Sequence, residues 1–403
     1  MTSDSVRLSL DAALQRALDL AACGVPYGGN PRVGCVLLDD AGLLLAEGYH
    51  RGRGTAHAEA AALAELSQQD PQVRARLHTA VVTLEPCNHT GVTPPCAQAL
   101  IDAGVQRVIY ADADINPSAA GGAETLRRAG VEVLSTQEAS IGTATLQAVH
   151  DFNEIWFTAM RRGRPWVIAK TAQSLDGYVA AIDGTSKWIT SQVARELGHR
   201  IRALSDAVII GTGTLLADHP SLAARPSCDG AASNLALPFD ASQGAGSHQP
   251  LRVIAGEREN PWPEEYRDAL HWKSHDLEGL LQHLFDAHAR VVLIEGGPRL
   301  VAAALGAGLT DEHLIISAPI IIGQGNSSIP LPVQTLADSY RPQRVQYGQL
   351  CADSRGQKDS LTQLLWHSQR PVGLLNTTRV LTGLLSDSCG ATGDGRKEPR
   401  GHG

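Results

Sequence analysis

The chain has 403 residues, a net charge of −8 and a 43% apolar fraction, which suits roughly two or three domains with cores of their own. No apolar run approaches the ~20 residues that cross a bilayer, and no apolar segment follows a basic start in "MTSDSVRLSLDAALQRAL". Lys and Arg form no stripe that would track a nucleic-acid backbone, so the expectation is a cytoplasmic protein with neither membrane nor nucleic acid as partner.

In chain order, residues 8–23, "LSLDAALQRALDLAAC", repeat Leu and Ala at helical spacing up to the stop at Gly24. "VGCVLLDD" and "LLLAEGYH" read as two strands turning at Asp39 to Gly42, and a helix begins near His57. "TAVVTLEP" is an apolar strand ended by proline. "CAQALIDAG", "VQRVIYAD", "AETLRRAG" and "VEVLS" then alternate helix and strand, the pattern of an α/β sheet with covered faces. "DFNEIWFTAMRR", residues 151–162, reads as a connecting helix. A second α/β series follows, with strands near 165–172, 206–211, 251–256, 291–295 and 313–318. Residues 226–249 form a Gly/Ala/Ser/Pro-rich loop, and from 368 the periodicity is lost, as in a disordered tail. The domains expected are therefore 5–150, a linker helix at 151–163, and 164–367, with 368–403 as the tail.

The seven cysteines are irregularly spaced and read as reduced thiols rather than as a disulfide framework. Two of them stand in "TLEPCNHTGVTPPC" (83–96), among prolines that neither a core strand nor a helix interior tolerates. Upstream lies "TAHAEAAALAEL" (55–66). His57, Cys87 and Cys96 supply the three protein ligands of a catalytic zinc, which keeps its fourth position for water. Glu59 does not share the helical face of His57, but from a helix N-terminus it reaches the water rather than the metal. That is the H-x-E…P-C pattern of zinc deaminases, in which the glutamate moves a proton from the water to the departing amine. Pro94 and Pro95 suit a helix entry, and the helix that opens at Cys96 favours a thiolate there. Taken singly, "HAE" is an exposed helix start and the two cysteines a structural zinc knuckle; together, and in this order, they point to the deaminase centre.

The cysteine spacing is C-x8-C rather than C-x2-C. With "NPRVGCV" (30–36), "EGYHRGRGTAHAE" (47–59) and "ALIDAGVQRVIYADADINP", it resembles the deaminase domain of the bifunctional deaminase–reductases of riboflavin biosynthesis. The second half carries "KTAQSLDGYVA" (170–180), "GTSKWITS" (184–191), "GTGTLLADHPSLAAR" (211–225) and "VVLIEGGPRL" (291–300). Glycines after apolar strands let a helix N-terminus meet a phosphate, but none forms the G-x-G-x-x-G fingerprint, so a Rossmann domain is not expected. These motifs are similar to the reductase half of the same family, and the resemblance runs from about residue 8 to 367.

That resemblance implies a cytidine-deaminase-like three-layer α/β domain followed by a dihydrofolate-reductase-like α/β domain. It implies a zinc-dependent deamination of 2,5-diamino-6-ribosylamino-4(3H)-pyrimidinone 5′-phosphate, then NADPH reduction of the ribosyl chain to ribityl. In the first domain His57, Cys87 and Cys96 would hold Zn2+, Glu59 would shuttle protons, and Asn30, His50 and Asn116 would line the substrate pocket. In the second, Ala172, Trp188, Thr214 and Asp218 match NADPH positions, as do Gly297, Pro298, Arg299, Leu300, Val301, Ala302 and Ala303. Ser186, Arg202, Leu222, Arg225 and Glu295 match substrate positions, the two arginines suiting a ribose phosphate. Lys170 would sit by the sugar carbonyl or its imine. The partners implied are this phosphoribosyl pyrimidine and, in assembly, a homodimer or homotetramer. Val92 stands where the family carries Lys or Arg, and Arg51 or Arg53 is expected to take over that charge. "DINP" and Ala123 also depart from the family pattern. The competing expectations are a zinc deaminase of another nucleoside or base with an inactive reductase-like half, and a structural zinc module.

Overall fold

Ser9 accepts a hydrogen bond from the Ala12 amide and so starts the first helix, α1 (Leu10–Ala21). Then come β1 (Gly34–Leu38), β2 (Leu44–Tyr49), α2 (Ala58–Ser67), α3 (Pro71–Arg74), β3 (Thr79–Leu84), α4 (Cys96–Asp102), β4 (Arg107–Asp112), α5 (Gly122–Arg128) and β5 (Glu132–Leu134). This computed structural model describes residues 6–89, 94–134, 136, 138–225, 248–258 and 263–367. Val92, most of the Gly/Ser-rich loop and the tail from 368 lie outside the described residues.

The first sheet has the order β2-β1-β3-β4-β5, with β1 antiparallel to both its neighbours and β3, β4 and β5 parallel. Alternation along β1 settles its two faces. Val36 and Leu38 pack with Leu14 and Leu18 of α1, while Cys35 and Leu37 pack with Ala58 and Ala62 of α2 and Leu100 of α4. Three layers result. Gly48 on β2 permits the close approach of α2, since a Cβ there would stand 2.4 Å from the Ala62 nitrogen.

Two helices, α6 (Thr143–Phe152) and α7 (Glu154–Arg162), meet at Asn153, where a single connecting helix is expected from the sequence. Asn153 breaks the run because its amide is spent elsewhere: Nδ2 donates to the Arg32 carbonyl and Oδ1 accepts from the Arg32 N–H.

The second domain runs β6 (Trp166–Ser174), β7 (Tyr178–Ala181), α8 (Gln192–Ala203), β8 (Ala207–Gly211), α9 (Thr212–Asp218), β9 (Leu251–Ala255), β10 (Leu270–Trp272), α10 (Leu277–Asp286), β11 (Val291–Glu295) and α11 (Pro298–Gly306). It ends with β12 (Glu312–Ala318), β13 (Gly325–Ser327), β14 (Arg344–Gln349) and β15 (Ser360–Leu365). Its main sheet is ordered β10-β9-β8-β11-β6-β12-β15-β14; the first six strands are parallel and the last two antiparallel. Trp166, Ile168, Leu293 and Leu314 face Leu197 and Ile201 of α8, and Val167, Val292 and Ile294 face α10 and α11. The five strands expected in this half are present. The additional β14 alternates half-buried and exposed residues at the sheet edge, so its sequence, "RVQYGQ", carries little apolar signal.

The two domains share a seam. Asp206, before β8, accepts from the backbone N–H of Gly28 at 2.6 Å, of Arg290 at 2.8 Å and of Val291 at 2.9 Å. Tyr27 stacks on His248 with ring centroids 3.6 Å apart, and Trp156 Nε1 donates to the Gly29 carbonyl.

His313 on β12 is fully buried with Nε2 2.8 Å from Thr171 Oγ1, and burial pushes its pKa down to about 4. The unfolded chain, at the ordinary value of 6.5, therefore takes up this proton first. The contribution is whole above pH 6.5 and is lost as the pH falls toward 4. It amounts to on the order of 3 kcal/mol. Thermal unfolding of the full chain followed from neutral pH into this window should show a falling midpoint, and His313→Gln should remove that share of the pH dependence.

Candidate active sites

The N-terminal end of α2 and the loop after β3 converge on one point. His57 is the N-cap of α2, and its Nδ1 lies 3.4 Å from Cys87 Sγ and 3.4 Å from Cys96 Sγ. All three donor atoms lie within 4.8 Å of one another. A tetrahedral zinc with bonds of about 2.0 Å to nitrogen and about 2.3 Å to sulfur sets N···S separations of roughly 3.6 Å, so the triad fits that ion. Among the described residues, no other His, Cys, Asp or Glu belongs to this mutually close set, which leaves a corner open.

The thiols are already polarised. The Cys96 amide, the first of α4, donates to Cys87 Sγ at 3.5 Å. From the sequence, the helix N-terminus is expected to favour a thiolate at Cys96; the amide instead serves the sulfur of Cys87. Hydrogen bonding from the Cys96 thiol and from His57 draws Cys87 down to about 4, and the same sharing holds Cys96 far up as the proton carrier. A divalent ion would take the place of that proton and leave two thiolates.

Glu59, in the first turn of α2, is 3% exposed, and burial pushes its carboxyl up to about 7. It is therefore suited both to accept and to release a proton near neutrality. Beside it, His50 Nδ1 donates to the Ala56 carbonyl at 3.0 Å, so Nε2 is left to accept from Asn30 Nδ2, also at 3.0 Å. The His50 ring meets the His57 ring edge-on at 5.2 Å. Asn30 and His50 thus adjoin the triad. Asn116 is held in the turn after β4, its amide donating to Asp114 Oδ1 and its side chain accepting from Ser118. Glu85 is a buried carboxylate that the sequence reading passes over. It accepts from the Asp114 and Ala123 amides and so pins the β4–α5 loop beside Cys87. An acidic residue closing an otherwise apolar strand was the available signal.

In the second domain the carboxyl ends of neighbouring parallel strands bring Lys170 of β6 into register with Glu295 of β11. Lys170 Nζ lies 2.9 Å from Glu295 Oε1, and Arg202 Nε of α8 lies 2.5 Å from Glu295 Oε2. Burial alone would raise the Glu295 carboxyl, but the two cations outweigh it and hold it at about 2. Arg202 Nη1 also donates to the Ala223 carbonyl, tying the loop after α9 to this trio.

A Cβ on Gly297 would stand 2.9 Å from Thr214 Oγ1, so the left-handed turn at Gly297 (φ 76°) lets α9 and the start of α11 close on each other. Pro298 opens α11, and the Leu300 and Val301 amides both donate to the Gly297 carbonyl. Ala172 lies two residues beyond Lys170 on β6. Arg299 and Ala303 are exposed and Leu300 is half-buried, whereas Val301 and Ala302 are buried, so the latter two offer backbone rather than side chain. Leu222 is likewise buried, at φ 55°. Trp188 is 67% exposed at φ 71°, with the Arg195 guanidinium 4.6 Å above its ring. Ser186 is half-buried; Asp218 and Arg225 are exposed, and Arg225 Nη2 donates to Ser221.

Residues 9–112 match the family described as the cytidine and deoxycytidylate deaminase zinc-binding region, and residues 165–347 match the RibD C-terminal domain. The riboflavin biosynthesis protein RibD of Corynebacterium ammoniagenes is 38% identical over 308 residues, covering 75% of this chain and 84% of that protein. Acinetobacter baumannii RibD, form 1, superposes with a TM-score of 0.70 at 32% identity, over 89% of this chain and 99% of that one. A diaminohydroxyphosphoribosylaminopyrimidine deaminase/5-amino-6-(5-phosphoribosylamino)uracil reductase from Thermotoga maritima gives a TM-score of 0.68 at 26% identity, with the same coverage.

Proposed function

The chain belongs to the RibD family of riboflavin-biosynthesis enzymes, and from that membership we propose how its own residues divide the two reactions. It is a zinc-dependent deaminase joined to an NADPH-dependent reductase. The reading of an inactive reductase half is not favoured, because that half matches the family's own reductase domain.

In the first reaction, on the 2,5-diamino-6-ribosylamino-4(3H)-pyrimidinone 5′-phosphate, residues 5–150 do the work. His57, Cys87 and Cys96 would hold the zinc, which when bound would supply a Lewis acid that lowers the pKa of water to about 7. Glu59 accepts a proton on its carboxylate and returns it to the departing amine nitrogen, which leaves as ammonia. Asn30 and His50 orient the pyrimidine ring against Glu59; Asn116 closes the pocket from the β4 side.

In the second reaction, residues 164–367 hold the deaminated product. NADPH supplies the hydride. Thr214, Asp218, Ala172 and Trp188 hold the cofactor with the α11 turn, Gly297 to Ala303. Lys170, aimed by Glu295, donates to the sugar oxygen or imine nitrogen as the ribosyl group opens to ribityl. Arg202 and Arg225 hold the phosphate, and Ser186 and Leu222 border the sugar. Residues 151–163 join the halves. The enzyme is proposed to act in the cytoplasm on a small molecule, as a homodimer or homotetramer; among the described residues no helix is long and apolar enough to cross a membrane.

The observation that carries this reading is the set of three donor atoms within 4.8 Å with the buried Glu59 two residues from His57. The test is one cuvette. Zinc-loaded enzyme given the diaminopyrimidinone substrate releases ammonia without NADPH, and NADPH added afterwards is oxidised. Zinc-loaded enzyme that releases no ammonia would overturn the substrate assignment.

A further inference from the structure

A cleft follows the seam between the domains. Its wall holds Gly29 and Asn30 from the first domain and Arg290 from the second. Asn30 leads inward from there, through its 3.0 Å contact with His50, to the zinc triad.

Two arginines and a histidine gather at this seam. An added Cβ would lie 3.8 Å from the Arg53 Cβ at Gly28, and 2.6 Å from the His288 carbonyl oxygen at Gly29. Arg53, in the loop after His50, and His288, in the turn before β11, therefore flank the same glycine pair. Arg290 follows His288 by two residues. Burial lowers the pKa of both His288 and Arg290, and the Arg53 charge lowers each further, as expected of cations held close together.

Two details mark the cluster as more than a solvated surface. His288 adopts φ 70°, a left-handed conformation that strains a side-chain-bearing residue. Arg290 donates through Nη1 to the Phe285 and Ala289 carbonyls, yet its buried Nε has no partner among the described residues. The nearest carboxylate, Asp206, is committed to three backbone amides; Asp286 is the other acid that Arg290 senses. Meanwhile the stretch between the two cysteines, "NHTGVTPP", contains no Lys or Arg, so a phosphorylated substrate finds no cation there.

We propose that Arg53, His288 and Arg290 hold the 5′-phosphate monoester of the substrate during deamination, so that the reductase domain contributes two residues to the deaminase pocket. The inference rests on the assignment of Asn30 and His50 to the pyrimidine ring. Guanidinium forks and an imidazole N–H match the oxygens of a phosphate, and Asn30, which shares the cleft wall with Arg290, also contacts His50.

The experiment uses the full chain loaded with zinc. Arg53→Ala, His288→Ala and the double variant are assayed for ammonia release without NADPH, with the phosphorylated substrate and with its dephosphorylated riboside. The double variant should raise KM for the phosphorylated substrate about tenfold or more, with kcat and the riboside KM nearly unchanged. The KM for NADPH should not move. A KM shift equal for both substrates, a shift confined to NADPH, or no shift at all would each overturn the proposal. Inorganic phosphate is titrated calorimetrically in an Arg225→Ala background, which weakens the reductase phosphate site. Binding there should be lost on adding the double substitution. Loss of phosphate binding in a protein that never releases ammonia would leave the anion site standing and remove the substrate reading; retained binding would remove the site itself.

Discussion

Glu59→Gln is expected to leave zinc bound at one ion per chain and to slow ammonia release by about 10²–10⁴-fold, the range that a positioned proton carrier supplies. The substitution keeps the shape of the side chain and the first turn of α2. It leaves His57, Cys87 and Cys96 in place, and the amide oxygen can still meet Cys96 where the carboxyl did, so the metal content should equal that of the unaltered enzyme. What it removes is the one carboxyl at this site that burial holds at about 7, close to where proton acceptance and return balance. NADPH oxidation with the already deaminated product should persist, because Glu59 lies in the other domain. Zinc analysis beside an ammonia assay checks the result. A structural zinc module would keep its function in this variant, and that outcome would remove the deaminase assignment.

Glu295→Ala should abolish turnover in the reductase half and lower the stability of that domain by about 3–5 kcal/mol, the usual consequence of leaving buried charges without their partner. Lys170 Nζ and Arg202 Nε both bond this carboxylate, at 2.9 and 2.5 Å, and the side chains of the three residues are at most 16% exposed. Without it, two cations face each other in a poorly hydrated pocket, and Lys170 loses both its charge balance and its aim. The carboxyl is held at about 2 against an ordinary 4.5, so its contribution is present above pH 4.5 and disappears as the pH falls toward 2. Thermal unfolding with separate assays of the two activities checks this. Ammonia release should survive below the lowered transition. A melting midpoint unchanged from the parent enzyme would show that the trio is not coupled as the geometry indicates.

The sequence made some of this legible and not the rest, for physical reasons. The zinc ligands were visible because prolines beside cysteines have few structural uses, and because His57 and Glu59 open a stretch rich in Ala and Leu that reads as a helix. The alternating strands and helices were visible from period alone. The split of the connecting helix at Asn153 was not, since it depends on a side-chain pairing with the Arg32 backbone far away in the chain. The edge strand β14 and its neighbour β15 were missed because one sheet face there meets water. For Lys170, Arg202 and Glu295 the resemblance supplied candidates, but only the register of β6 with β11 brings the lysine and the carboxylate level. The cluster at the seam was invisible for the same reason: Arg53 and His288 are 235 positions apart (288 − 53), with no local pattern to link them.

The carboxylate of Asp206, grasping one amide from the first domain and two from the second, acts as a rivet. Swinging one half away from the other would strip at least the Gly28 amide from a half-buried carboxylate, at a cost of about 1.5–3 kcal/mol. Hinged motion between the two catalysts must first give up that contact, so the ground state holds their pockets at a set distance.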